Sequence, residues 1–161
     1  MSKNAPAPLP GASPPSANDT DVDRGLLSDL LGYHLRRAEA FTFQSFNAAL
    51  AGDRVGPGQL GVLLLVQANA GINQTRAGRS LGIDRSTLVS IIDGLEERGL
   101  LERTPSPTDR RSHALMLTDT GKRFLREIRP RLDGHEDEVA RNLTETERRT
   151  LIGLLEKVVR P

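Results

Sequence analysis

The apolar positions of this chain fall into helical stripes on either side of a short alternating segment. Between Asp23 and Leu50, residues Leu27, Leu30, Leu31, His34, Leu35, Ala38 and Phe41 return at spacings of three and four, which predicts a helix with one continuous apolar face. Phe43 and Phe46 carry apolarity around that helix. Its own core cannot cover so much apolar surface, so a dimer interface or a pocket wall is expected to use the excess. Residues 51–56 read as a loop. Pro57 suits the first position of a second helix, where its missing N–H costs nothing. Leu60, Leu63 and Leu64 bury that helix, which ends before Gly71.

Asn73 is placed to cap a third helix running to Leu81, and Gly82 supplies a turn. Asp84 caps a fourth helix, which Gly99 can end in a left-handed conformation. Within it Leu88, Ile91, Ile92 and Leu95 share the face directed at the core. Ser86, Val89 and Ser90 lie opposite, flanked by Arg85 and Thr87. Leu101 to Thr104 predicts a strand. Pro105, Pro107 and Asp109 stop it in a hairpin loop, and residues 112–117 return as its partner. Thr118 caps a long helix through Phe124, Leu125, Ile128 and Leu132, and Pro130 is expected to kink it. The pattern resumes through Val139 and Leu143. Thr144 with Glu147 forms a capping box for a last helix striped by Leu151, Leu154, Leu155 and Val158.

Five prolines among the first fifteen residues leave little to bury there, so residues 1–22 are expected to be a disordered tail. The 161 residues otherwise suit a single hydrophobic core. The net charge of +1 does not announce a polyanionic partner, so any basic surface must be local. Four Phe, one Tyr and no Trp argue against an aromatic platform for single strands. The lack of cysteine excludes disulfides, thiolate metal sites and thiol redox sensing, and it fits a reducing compartment. The longest apolar run, Val62 to Val66, is far below the roughly 20 residues that span a bilayer. No secretory signal is expected either, since the first residues carry one lysine and no apolar block. These features point to a cytoplasmic protein without a membrane partner.

A helix that enters a major groove needs one buried face to set its angle, and short polar residues at its N-terminal end to reach base edges. Arg85, Ser86, Thr87 and Ser90 meet this requirement, with Val89 beside them. Asp93, Glu96 and Glu97 occupy the other half, where phosphates would repel them, so base reading is expected from the first two turns. The same pattern fits an ordinary amphipathic helix with a solvated polar face. The hairpin shifts the balance. Arg110 and Arg111 sit at its tip, where an arginine can enter a narrow minor groove, and Asp109 can hold the tip in shape by accepting from Arg111 or another arginine.

The segment DRSTLVSIIDGLEERGLLER followed by TDRRSHALMLTDTGK resembles the MarR family of winged helix-turn-helix regulators. The resemblance rests on the helix ending in LEERGLLER, on Asp109 and Arg111, and on Leu115, Leu117, Thr118 and Gly121. It extends from about Leu26 to Val159. It implies a mainly α fold with a small β-wing, in which the N- and C-terminal helices form a helical dimerisation domain. Residues 23–56 and 118–161 would be the dimerisation parts, and 57–117 the winged DNA-binding domain. The resemblance further implies a homodimer on pseudo-palindromic double-stranded DNA, with half-sites about one helical turn apart. By matching position, Arg85 begins the recognition helix, Arg111 is the minor-groove arginine, and Arg76 and Arg79 are candidates for backbone contacts.

Family members often respond to small aromatic acids. For such an anionic aromatic effector, as the acid or its acyl-CoA thioester, the first helix offers Tyr33, His34, Arg36, Arg37, Phe41 and Phe46. His34 on this apolar face is more often a hydrogen-bonded core histidine than a ligand contact, and Arg36 and Arg37 are more often solvated charges. The run His135-Glu136-Asp137-Glu138 carries hard ligand types but makes a poor metal site, and no cofactor is expected. No catalytic motif offers a starting point for an enzyme. The sequence therefore predicts a ligand-responsive DNA-binding repressor. The competing reading is a winged-helix module that binds another protein.

Overall fold

The computed structural model describes residues 22–105 and 113–160. They fall into two compact units, one built from the chain up to Ser45 together with the segment from Val139, the other from Phe46 to Glu138.

In the first unit the chain begins with a 3-10 turn, Gly25–Asp29, followed by α1, Leu31–Leu50, which runs on into the second unit. The single helix expected from Asp23 is thus broken at Leu30, whose backbone is extended (φ −87°, ψ 111°). The break has a local cause. Asp23 accepts a hydrogen bond from the N–H of Gly25 at 2.8 Å, which winds the chain into a tight turn before α1 can start. His34 reaches back across the break, its Nε2 lying 2.8 Å from the carbonyl oxygen of Ser28. His34 is exposed and is not a core residue. The unit also holds α6, Glu145–Val158, whose capping box forms as expected: Thr144 Oγ1 accepts from the N–H of Glu147, and the Glu147 carboxylate accepts from the N–H of Thr144. No residue of α6 is buried, and Leu151, Ile152, Leu154, Leu155 and Val158 are all exposed. On the N-terminal side Leu26, Leu27, Leu31 and Phe43 are exposed as well.

The second unit has a closed core. Helices α2 (Pro57–Ala68), α3 (Gln74–Leu81) and α4 (Arg85–Glu97) pack with a three-stranded antiparallel sheet and with α5, Asp119–Ala140, which continues into the first unit. Val62, Leu63 and Val66 of α2 meet Leu88, Ile92 and Leu95 of α4 in one apolar cluster. Leu115, Leu125 and Ile128 join it from the sheet and α5. Each such side chain contributes about 1.5–3 kcal/mol when fully buried. Ile91, assigned to the same face, is only half-buried at its margin.

The sheet order is β1-β3-β2, with β1 at Ile72–Asn73, β2 at Leu101–Pro105 and β3 at His113–Leu117. Two expectations change here. Strand β1 was not anticipated, because two residues carry no readable period; it exists by pairing Ile72 with Leu115. Pro105 also does not stop β2 but closes it, opposite His113. β2 is an edge strand, so the N–H that proline lacks has no ladder partner to lose on the outer side. Helix α5 runs unbroken through Pro130, which lies on an exposed position.

Thr118 joins the sheet to α5. Its hydroxyl donates to the carbonyl oxygen of Gly99 at 2.6 Å and accepts from the N–H of Gly121 at 3.0 Å.

Candidate nucleic-acid interface

Local capping residues build the helix-turn-helix. Asn73 Oδ1 accepts from the N–H of Arg76 at 2.8 Å and starts α3. Gly82 ends it with φ at +64°, where a side chain would be strained. Two residues later Asp84 starts α4, its Oδ1 accepting from the N–H of Thr87 at 3.0 Å.

Asp84 does more than cap. Its Oδ1 also accepts from Ser86 Oγ at 2.6 Å, and its Oδ2 accepts from Thr87 Oγ1 at 2.7 Å. The Ser86 hydroxyl, then the Thr87 N–H and hydroxyl, hold this carboxyl well below the usual carboxylate range. Arg85, Ser86, Thr87 and Ser90 are exposed along the helix start, and Leu88 is buried behind them. Ser90 Oγ donates to the carbonyl oxygen of Ser86 at 3.2 Å. Val89 is half-buried and sits at the flank of this surface.

Two of the three acids in the second half of α4, Asp93 and Glu96, are compensated by an arginine, while Glu97 is exposed. Arg103, on β2, donates to Asp93 Oδ1 at 2.6 Å and to Glu96 Oε2, while its backbone N–H donates to Glu96 Oε1 at 2.8 Å. The guanidinium thus compensates two carboxylates one turn apart and fixes the strand leading to the wing against the helix. Beyond the end of α4, the Arg98 guanidinium donates to the carbonyl oxygens of Arg54 and Asp53 at 2.6 and 3.0 Å. Arg131 of α5 grips the Asp53 carboxylate at 2.6 and 3.0 Å. The C-terminal half of α4 is therefore tied to β2 and to the loop before α2, while its start is capped within its own first turn.

A cleft of about 690 Å³ opens beside the start of α4, lined by Gln74, Thr75, Arg79, Asp84, Arg85 and His113 among others. The structure brings the candidates Arg79 and Arg85 to this cleft, while Arg76 is exposed on α3 outside its lining. Gln74, Thr75 and His113 were not singled out from the sequence. His113 reaches the cleft because the β1–β3 pairing, with Asn73 opposite Ala114, places the root of the hairpin beside the start of α3, a non-local fact without a sequence signal. Asp109, Arg110 and Arg111 lie in residues 106–112, outside the described residues.

Of the six residues proposed for an effector, five lie in the first unit and Phe46 in the second. Tyr33 and His34 meet edge-on at 5.4 Å, with Arg37 5.5 Å from the Tyr33 ring centre. Phe41 lies 5.9 Å from Arg141. Arg36 is exposed. Phe46 belongs to the second unit, where it is buried against His135 with ring centres 5.6 Å apart. That burial accounts for His135 as a packed residue. Among the described residues no three His, Asp or Glu side chains gather as a metal-ligand set, and no helix is long and apolar enough to cross a membrane.

An exposed polar helix start, a buried opposite face and a braced β-hairpin on one compact unit define a winged helix-turn-helix DNA-binding transcription regulator. Comparison with known proteins makes this specific. The MarR family model matches residues 55–112. A putative transcriptional regulatory protein for the hcr operon of Thauera aromatica is 33% identical over 148 residues, spanning 91% of this chain and 89% of that protein. The transcriptional repressor CouR, solved on a 23-mer DNA duplex, is 42% identical with a TM-score of 0.81, over 88% of this chain and 100% of that one. CouR bound to p-coumaroyl-CoA is 40% identical with a TM-score of 0.76, over 87% and 99%. The chain belongs to the MarR family and is a transcriptional repressor of that type.

Proposed function

We propose that this repressor binds a pseudo-palindromic operator as a homodimer and is released by an aromatic acid, foremost as its CoA thioester. The reading helix carries the DNA half of this proposal: Arg85, Ser86, Thr87 and Ser90 are exposed at its start while Leu88 and Ile92 anchor its back. Arg76 and Arg79 contribute phosphate contacts from α3, Val89 lines the edge of the base-reading surface, and Asp109, Arg110 and Arg111 are assigned to minor-groove recognition. The homodimer is supported by the first unit, where Leu31 is 61% exposed and Leu154 52%. Apolar side chains on that scale are expected to be covered by a second copy.

The effector class is supported by the CouR structure that holds p-coumaroyl-CoA. Tyr33, His34, Phe41 and Phe46 supply apolar and aromatic contacts, and Arg36 and Arg37 the cations for a carboxylate or the CoA phosphates. The effector must bind the DNA-incompetent form more tightly than the competent one, or it shifts nothing.

Fluorescence anisotropy of the full chain with a duplex from its own upstream region tests the reading. Affinity should fall steeply with salt as phosphate contacts release counterions. p-Coumaroyl-CoA should reverse binding, with free hydroxycinnamates and benzoates compared beside it. A dimer without salt-dependent duplex binding removes the operator proposal. If no compound raises the melting temperature, the effector proposal falls.

A further inference from the structure

We propose that Asp84 sets the hydrogen-bonding polarity of the reading helix, so that Ser86, Thr87 and Ser90 select bases presenting an amino group, adenine or cytosine. The inference rests on the operator reading above and deepens it.

A carboxylate only accepts hydrogen bonds, so in both side-chain contacts with Asp84 the proton belongs to the hydroxyl. Ser86 spends its single proton on Oδ1 at 2.6 Å and Thr87 spends its own on Oδ2 at 2.7 Å. Ser90 faces the carbonyl oxygen of Ser86, which also only accepts, so its proton is spent as well. What these three exposed hydroxyls retain for a partner is lone pairs. In the major groove the donors are adenine N6 and cytosine N4, whereas guanine O6 and N7, adenine N7 and thymine O4 are acceptors. A serine or threonine with a free rotor serves either kind. Here, donating to guanine or thymine would require breaking a bond to Asp84 or to the Ser86 carbonyl. Arg85, the next residue after Asp84, supplies donors and no acceptor. The helix start is thereby divided: Arg85 addresses guanine or phosphate, and the hydroxyls address amino groups. Asp84 touches the bases through its neighbours and is a positioning residue.

The test uses the full chain and a duplex selected from a randomised pool. Single adenines in that duplex are replaced by purine, which lacks the N6 amino group, and single cytosines by 2-pyrimidinone, which lacks N4. Single guanines are replaced by 7-deazaguanine. The wild-type chain should lose affinity by about tenfold at one or two amino-group positions, the size of one good base contact. Ser86→Ala and Thr87→Val should be insensitive at those same positions. Asp84→Asn keeps a good cap, but its amide donates to a hydroxyl and frees that proton, so it should gain sensitivity to 7-deazaguanine or tolerate thymine there. The inference is overturned if the sensitivity that Ser86→Ala or Thr87→Val removes traces to guanine N7. It is also overturned if Asp84→Asn selects the same bases as the wild type. Recovery of no duplex at all would instead remove the operator reading from which it starts.

Discussion

Gly121 packs directly on the backbone of Leu100. A methyl group at Gly121 would overlap the Leu100 carbonyl oxygen and approach its carbonyl carbon to 2.9 Å. Leu100 leads into β2 and Gly121 lies in the first turn of α5, so the contact joins the base of the wing to the following helix. Backbone cannot step aside as a flexible side chain can. Gly121→Ala should therefore destabilise the chain by about 3 kcal/mol, the upper range for an overpacked core position. Thermal melting reads it, and an unchanged melting temperature would show that the two segments separate easily.

Arg103 and Glu96 should behave as a coupled pair. The Arg103 side chain is 22% exposed and that of Glu96 29%, so solvent screens the pair only partly. A double-mutant cycle with Arg103→Met and Glu96→Gln should give a coupling energy of about 1 kcal/mol. Strictly additive effects in urea unfolding would show that the brace is incidental.

The Asp84 cap has a defined pH signature. Its hydrogen bonds hold the folded-state value below the ordinary 3.8. The stabilisation is therefore present above 3.8 and lost as pH falls through the lower folded-state value. The melting-temperature gap between wild type and Asp84→Asn should stay level from neutral pH down to about pH 5 and change only in acid. A gap that varies between pH 6 and 8 would mean that another group controls it.

The outward face of α6 is expected to be an association surface. Leu154→Glu places a charge where an apolar side chain is 52% exposed. In sedimentation velocity the variant should run as a monomer at concentrations where the wild type is a dimer. A dimer of unchanged affinity would place the contact elsewhere.

Arg111→Ala should weaken operator binding by about 1–3 kcal/mol, the scale of one groove contact. Arg79→Ala should lower the slope of log affinity against log salt by about one, without altering base preference. Equal loss of affinity for all sequences in the first case would make Arg111 a phosphate contact.

Much of this was legible because it is local. Asn73, Asp84 and Thr144 announce helix starts within three residues of their partners, and the stripe of Leu88, Ile92 and Leu95 shows which side of α4 is buried. What escaped was created by distant pairing. Ile72 is in a strand only because Leu115 lies beside it, and His113 borders the cleft for the same reason. The acids of α4 read as a penalty for DNA binding until Arg103, on another element, is seen holding two of them. The break at Leu30 and the exposure of His34 were masked by a leucine pattern that continues across them.

The sheet also bears on how copies of this protein meet. A strand edge with free N–H and C=O groups invites pairing with another chain. Here one outer strand, β1, has two residues, and the other, β2, ends in a proline that has no N–H to offer. Neither is a good template for strand addition. At the high concentrations of purification or crystallisation, self-association should therefore proceed helix to helix, and the wing should stay available for its partner and resist growth into fibrous aggregates.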